Sequence, residues 1–177
     1  MLTEFVRDQL FTVAWYGLMC CVWLGWSQED PPKRLRPLLG AGSIVGLGIA
    51  VWFGIHTATR WGEPSALDTN LTAYIVLVAA EVILCVAGAI ALVLKGKGRW
   101  IAWWIGLVVA IHFIPLGFVL GDWASGILGA GLTTALLLVR PRLVRTDVVT
   151  SAVVGPIMGF SLLAFSITSA LVVLPRL

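Results

Sequence analysis

The chain has 177 residues, of which 59% are hydrophobic and only 12% are charged. Soluble domains carry about a quarter charged residues, so this composition excludes an ordinary soluble domain and indicates a polytopic helical membrane protein. The net charge of +3 does not predict a nucleic-acid partner, because the positions of the basic residues along the chain explain it better.

Six apolar runs of the kind that span a lipid bilayer follow one another along the chain. They cover residues 8–26, 38–59, 73–94, 100–120, 124–139 and 148–173. We therefore predict an all-α fold, a compact bundle of six transmembrane helices that forms one domain over residues 1–177. The start, MLTEFVRDQLFTVAW, lacks a basic n-region and a small-residue cleavage site, so we expect a retained first span and not a signal peptide.

The basic residues alternate between the two ends of these runs. Nine of the 12 Lys and Arg residues fall in the segments 28–37, 95–99 and 140–147, and the other three are Arg7, Arg60 and Arg176. The positive-inside rule then predicts that those three segments are cytoplasmic loops and that both termini lie outside. Short loops and few lysines favour a bacterial plasma (inner) membrane. The expected partner is the lipid bilayer.

Paired glycines mark the surfaces on which helices can approach closely. In lipid there is little hydrophobic drive between helices, so packing relies on small residues. Gly42 and Gly46 have GxxxG spacing in the second run, and Gly155 and Gly159 have it in the sixth. We interpret both pairs as packing seams within the bundle, and secondarily as faces for a homo-oligomer or a larger membrane complex.

A faint internal repeat is the next feature. The letters LGAG occur at Leu39–Gly42 and again at Leu128–Gly131. An inverted repeat is topologically possible with six spans, and transporters that carry one often place short or glycine-interrupted segments beside the substrate site. The fifth run is the shortest and contains Thr133 and Thr134, so we include these two hydroxyls among the candidate site residues.

Three ionisable side chains fall well inside the apolar runs: His56, Glu81 and His112. A charged acid near the middle of a membrane costs about 2.5–3.5 kcal/mol on insertion scales, so Glu81 needs a partner, water or a proton. Glu81 and His112 lie about 10 Å and about 12 Å below the outer ends of their runs, which makes them level. Since only KGKGR joins the third and fourth runs, these should pack side by side and bring the two residues into contact.

The segment VVAIHFIPLGF places a proline three residues after His112. Pro115 cannot donate to the Ile111 carbonyl, which leaves that oxygen beside His112 for water or a ligand. The alternative is purely structural, since a Glu–His contact can tie two helices together and a proline can serve shape alone. His56, with Trp52 and Arg60 one turn away on either side, is interpreted first as an interfacial histidine.

The same segment resembles the HF-x-P-L stretch in a late span of small, uncharacterised bacterial multi-pass membrane proteins. The resemblance covers this helix and the following span, and the residues that carry it include His112 and Pro115. It implies a multi-pass membrane fold and no particular activity.

These features lead to one first hypothesis and three alternatives. The first is a transporter or channel for a small solute or ion, with Glu81 and His112 as a proton-sensitive site in the outer half of the membrane. The alternatives are a non-catalytic accessory or scaffold subunit, a haem b redox subunit that uses His56 and His112, and a lipid-modifying enzyme. No H-E-x-x-H, G-x-S-x-G or P-loop motif is present, so we expect no enzyme, no metal and no cofactor.

Overall fold

The computed structural model describes residues 4–176, and within that range the chain is helical with no strand. The six long helices are α1 (Val6–Trp26), α2 (Arg36–Thr59), α3 (Leu67–Leu94), α4 (Ile101–Val119), α5 (Trp123–Val144) and α6 (Ser151–Val173). All six are long and apolar enough to cross a membrane. The predicted all-α class and the number of candidate spans are therefore confirmed.

The helices differ from the predicted runs at their ends. Helix α3 begins at Leu67 and α5 continues through Pro141 to Val144, because a helix can continue through polar residues beyond the end of its apolar run. Helix α5 has 22 residues against 19 in α4. The fifth span is thus not short, and the argument that linked it to a transporter repeat loses this support.

Two groups of three helices make up the bundle. Helix α1 packs against α2 and α6, whereas α4 packs against α3 and α5, and α6 also contacts α4 and α5 and so joins the groups. The core lies where the groups meet and contains the fully buried Leu24, Leu136, Met158 and Leu162. Helix α3 lies at the edge, packs on α4 and has no buried residue of its own.

The four predicted packing glycines all lie where α1 meets α2 or α6. A Cβ atom at Gly46 would lie 2.6 Å from the carbonyl oxygen of Gly17, and one at Gly155 would lie 2.7 Å from the carbonyl oxygen of Trp23. Leu24 fills the space beside both Gly42 and Gly159. Because α1 contacts its neighbours almost backbone to backbone, it can lie between α2 and α6 without a gap.

Hydrogen bonds at the helix ends hold the fourth helix in place. The Arg99 guanidinium donates to the carbonyl oxygens of Leu143 and Thr146, and the Thr150 hydroxyl donates to the Arg99 carbonyl. These bonds tie the α3–α4 connection to the α5–α6 connection. At the opposite end, the Asp8 carboxylate accepts from the Ala66 backbone N–H at 2.8 Å, which ties α1 to the start of α3.

The glycine seam can be tested on α2 with two matched substitutions. Gly46→Ala should destabilise the fold by about 1–3 kcal/mol, because the added methyl group overlaps the Gly17 backbone. Gly48→Ala should be neutral or slightly stabilising, since nothing lies within 4 Å of its Cβ position and alanine favours a helix over glycine by about 1 kcal/mol. Thermal unfolding of the purified protein in mild detergent measures both; equal melting temperatures would contradict the seam.

Candidate functional site

Trp104 and Gly88 set how α3 lies on α4. The Trp104 indole occupies the space that a Cβ at Gly88 would need, so no other residue fits there without displacing the ring. The Trp104 Nε1–H donates to the Leu84 carbonyl oxygen at 2.9 Å. These two contacts fix the register of the antiparallel helices within two turns of Glu81, and so determine which α4 side chain Glu81 meets.

The side chain that Glu81 meets is His112. The Glu81 Oε2 atom lies 3.2 Å from His112 Nδ1, so the contact expected from the sequence is present. The His112 side chain is 9% exposed and that of Glu81 is 19% exposed. Both lie near the middle of their helices, where a bilayer provides no water to solvate a charge.

The polar atoms of His112 are not satisfied by the protein. Nδ1 lies 3.2 Å from Glu81 Oε2, but neither ring nitrogen makes a hydrogen bond to any residue within 4–176. A buried polar group without a hydrogen bond is costly, typically about 1–3 kcal/mol. The imidazole therefore has nitrogen atoms available to bind water, a proton or a ligand group.

A cavity of about 340 Å³ lies between α1, α3 and α4, and the pair forms part of its wall. We call it the aromatic cavity because seven of the side chains around it are aromatic: Phe11, Trp15, Tyr16, Trp23, Trp26, Tyr74 and Phe113. Glu81 is the one carboxylate and His112 the one imidazole among its lining residues, and none of them is Lys or Arg. The aromatic cavity thus combines a large apolar surface with a single acidic group.

A second cavity, of about 270 Å³, lies on the α3–α4 side of the pair and also includes Glu81 and His112 in its lining. Pro115 and Trp104 form part of this α3–α4 groove. Helix α4 continues through Pro115 to Val119, and the proline ring supplies no N–H to the backbone one turn earlier. The pair therefore lies between two cavities, with the proline in the wall of one of them.

The other predicted site residues are not brought to the pair. His56 lies on α2, where its ring packs edge-on against Trp52 at 5.2 Å, and Thr134 donates to the Ala130 carbonyl of its own helix. The Thr133 hydroxyl is buried and makes no hydrogen bond within the described chain. None of these three residues lines either cavity beside Glu81, so they lie apart from the Glu81–His112 pair.

The haem hypothesis gains nothing from the packing. It needs His56 and His112 as axial ligands, yet α2 packs on α1 and α6, whereas α4 packs on α3 and α5. Within residues 4–176 there is also no group of three or more His, Cys, Asp or Glu side chains suited to a metal ion.

A buried hydrogen-bond chain was not anticipated from the sequence. The Tyr16 hydroxyl donates to Ser125 Oγ at 2.9 Å, and Ser125 Oγ donates to the Asp122 carboxylate at 2.6 Å. Asp122 also accepts from the Ala124 N–H and so caps α5. An Asp directly before an apolar helix is a recognisable cap signal, but its link to Tyr16, and through Tyr16 to the aromatic cavity, is visible only in three dimensions.

Comparison with other proteins identifies no relative: the chain matches no protein-family model, and neither curated proteins nor solved structures give a match. The function is therefore inferred from the geometry around Glu81 and His112.

A double-mutant cycle tests whether the pair acts as a unit. Glu81→Gln and His112→Gln should each lower the free energy of unfolding, because each removes one partner of a buried electrostatic contact at 3.2 Å. The double mutant should cost less than the sum, with a coupling energy of about 0.5–3 kcal/mol. Thermal unfolding of the purified variants measures the coupling.

The control cycle combines Glu81→Gln with His56→Gln, which lies on a different helix group and should be additive. Strict additivity of the Glu81 and His112 changes would show that the contact contributes nothing and would remove the pair as a unit.

Proposed function

We propose that the protein is a membrane transporter for a small solute or ion, with Glu81 and His112 as its proton-responsive site. One observation supports this most: the pair lies 3.2 Å apart in the wall of two cavities near the middle of a bundle of six apolar helices. Ionisable residues inside membrane segments are rare and mark ion, proton or substrate pathways more often than structural contacts.

The chemistry of the pair suits a proton-dependent switch. With neutral His112 and ionised Glu81 the site has a charge of −1, and one added proton makes it neutral. Because the two groups are in contact, they titrate as one coupled unit and not independently. A change of one charge in a medium of low dielectric constant alters how strongly the site holds water or an ion.

Helix α3 is suited to respond to this change. It contributes no buried residue, and its one extensive helix contact is with α4. A tilt of α3 that keeps the Trp104 contact would therefore leave the buried core in place. The α3–α4 contact also contains both members of the pair. Loss or gain of a proton at Glu81–His112 would therefore act directly on the surface along which α3 can move.

For the orientation, we propose that both termini are outside and that residues 28–37, 95–99 and 140–147 are cytoplasmic, in a bacterial plasma membrane. The support is the positive-inside rule applied to short loops, with nine basic residues on one side and three on the other. The bonds from Arg99 to the α5–α6 connection are consistent with two of these loops lying at one end of the bundle.

The orientation predicts which loop cysteines react in intact cells. In a background without the three native cysteines, Gly62→Cys should react with a membrane-impermeant thiol reagent, and Gly98→Cys should react only after permeabilisation. Both positions are exposed, with nothing within 4 Å of the Cβ site, so access to the reagent differs only by membrane side. The reverse labelling pattern would overturn the proposed orientation.

The transport proposal predicts proton movement that depends on Glu81. Liposomes containing the purified protein and an internal pH dye are given a pH gradient and a panel of small cations, anions and polyols. Wild type should show proton flux with at least one solute, and Glu81→Gln should reduce that flux to the level of protein-free liposomes, because the variant keeps the shape of the side chain without its titratable group.

Glu63→Gln is the matched control for that assay. Glu63 lies in the loop after α2 and pairs with Arg60 at 3.4 Å, outside both cavities, so its flux should equal that of wild type. Equal flux in wild type and Glu81→Gln, or none in wild type with any solute, would contradict the transport proposal.

A further inference from the structure

We infer that the aromatic cavity binds a small organic cation, a quaternary ammonium or a protonated amine with apolar substituents, with Glu81 as its counter-charge. This inference names the substrate class of the site and rests on the proposed function. The contents of the cavity wall carry it. Among the described residues, the lining has seven aromatic rings, one carboxylate, one imidazole that makes no hydrogen bond, and no Lys or Arg.

The charge of the wall selects the sign of the ligand. Glu81 is the one acidic side chain among the lining residues, so the cavity has a charge of −1 whenever Glu81 is ionised and His112 is neutral. An ion in surroundings of low dielectric constant needs a partner of opposite sign, because the cost of removing it from water is otherwise prohibitive. An ionised Glu81 would repel an anion. A cation would neutralise this carboxylate, which has no Arg or Lys among the lining residues to pair with.

The rings select an organic cation over a metal ion. Trp, Tyr and Phe faces attract a cation within about 6 Å, most strongly Trp, and quaternary ammonium groups are recognised in this way by aromatic cages. A metal ion prefers several carboxylate, imidazole or thiolate ligands, and the lining residues include one carboxylate and one imidazole. The volume of about 340 Å³ lies within the range of about 300–1,000 Å³ typical of small-molecule sites.

The position of the cavity also suits an amphiphilic ligand. It lies between α1 and α3, and these two helices do not pack extensively against each other. On the α1 side, Phe11, Trp15 and Val22 are 40%, 45% and 50% exposed, so this wall reaches the outer surface of the bundle. A cation with apolar substituents concentrates at the membrane interface, from which such a lateral opening is accessible.

Proton and ligand should compete for the same charge. One proton on the Glu81–His112 pair brings the cavity to neutrality, as does one bound cation, and both together leave a net positive charge in an apolar wall. Binding should therefore weaken as the pair takes up its proton, with affinity falling about tenfold per pH unit below that titration. This mutual exclusion is the coupling that an exchanger of cations for protons requires.

Benzyltrimethylammonium and its neutral isostere 2,2-dimethylpropylbenzene provide the test. Binding of each to the purified protein in lipid nanodiscs is followed by tryptophan fluorescence and by calorimetry between pH 5 and pH 9. The ammonium compound should bind saturably and more tightly at high pH, and at least tenfold more tightly than the isostere. Glu81→Gln should lower the affinity for the cation at least tenfold and leave the isostere unaffected.

Two matched pairs of variants locate the site. Trp15→Leu should weaken cation binding several-fold, whereas Trp52→Leu, an exposed tryptophan on α2 outside the cavity, should not. Glu63→Gln should bind as wild type does. A folded Glu81→Gln protein that binds the cation as tightly as wild type would overturn the inference. Equal affinity of wild type for the cation and for the isostere would also overturn it, because it would indicate a site for lipid chains.

The outcomes separate this inference from the proposed function. Saturable, Glu81-dependent cation binding without any proton flux in liposomes supports the ligand class and overturns transport. Glu81-dependent flux with an inorganic ion or a neutral solute, without cation binding, overturns the ligand class and supports transport.

Discussion

The contact of Trp104 with Gly88 and Leu84 is the constraint on which the site depends. Its indole fills the space over Gly88 and donates to the Leu84 carbonyl, which holds an edge helix on α4 in one register. A shift of one residue would turn Glu81 away from His112, because successive side chains on a helix point about 100° apart. In lipid, where apolar faces do not drive helices together, such small-residue contacts and hydrogen bonds determine the register.

The rest of the bundle supplies a firm support for that edge helix. Helix α1 is held between α2 and α6 by four glycines, and α4 is held by the Arg99 and Thr150 bonds at its start. The aromatic cavity is therefore bounded by two well-anchored helices and one lightly packed helix, α3. In the proposed transporter, this asymmetry would let the firm side preserve the shape of the cavity while α3 tilts.

Both proposals depend on the burial of Glu81 and His112. On a protein surface a Glu and a His at 3.2 Å would be screened by water and worth little. Inside an apolar bundle the same two groups have no other charged residue in the cavity wall, so one proton or one cation decides the net charge of the site. The proposed transport and the proposed ligand class both rest on these two groups. The adjacent hydrogen-bond chain of Tyr16, Ser125 and Asp122 holds one wall of the cavity in place.

The sequence by itself determined the helical class, the six apolar spans, the glycine contacts and the meeting of Glu81 with His112. The first three follow from local composition and spacing. The last follows from the short connection that makes α3 and α4 neighbours, together with the equal depth of the two residues, while the Trp104 contact holds the register. Only the tertiary structure decided the helix groups, the cavities and the separation of His56, Thr133 and Thr134 from the pair. The physical reason is that a uniformly apolar helix has no amphipathic pattern from which its buried face could be predicted. Which face meets which neighbour therefore depends on side-chain packing between residues far apart in the chain.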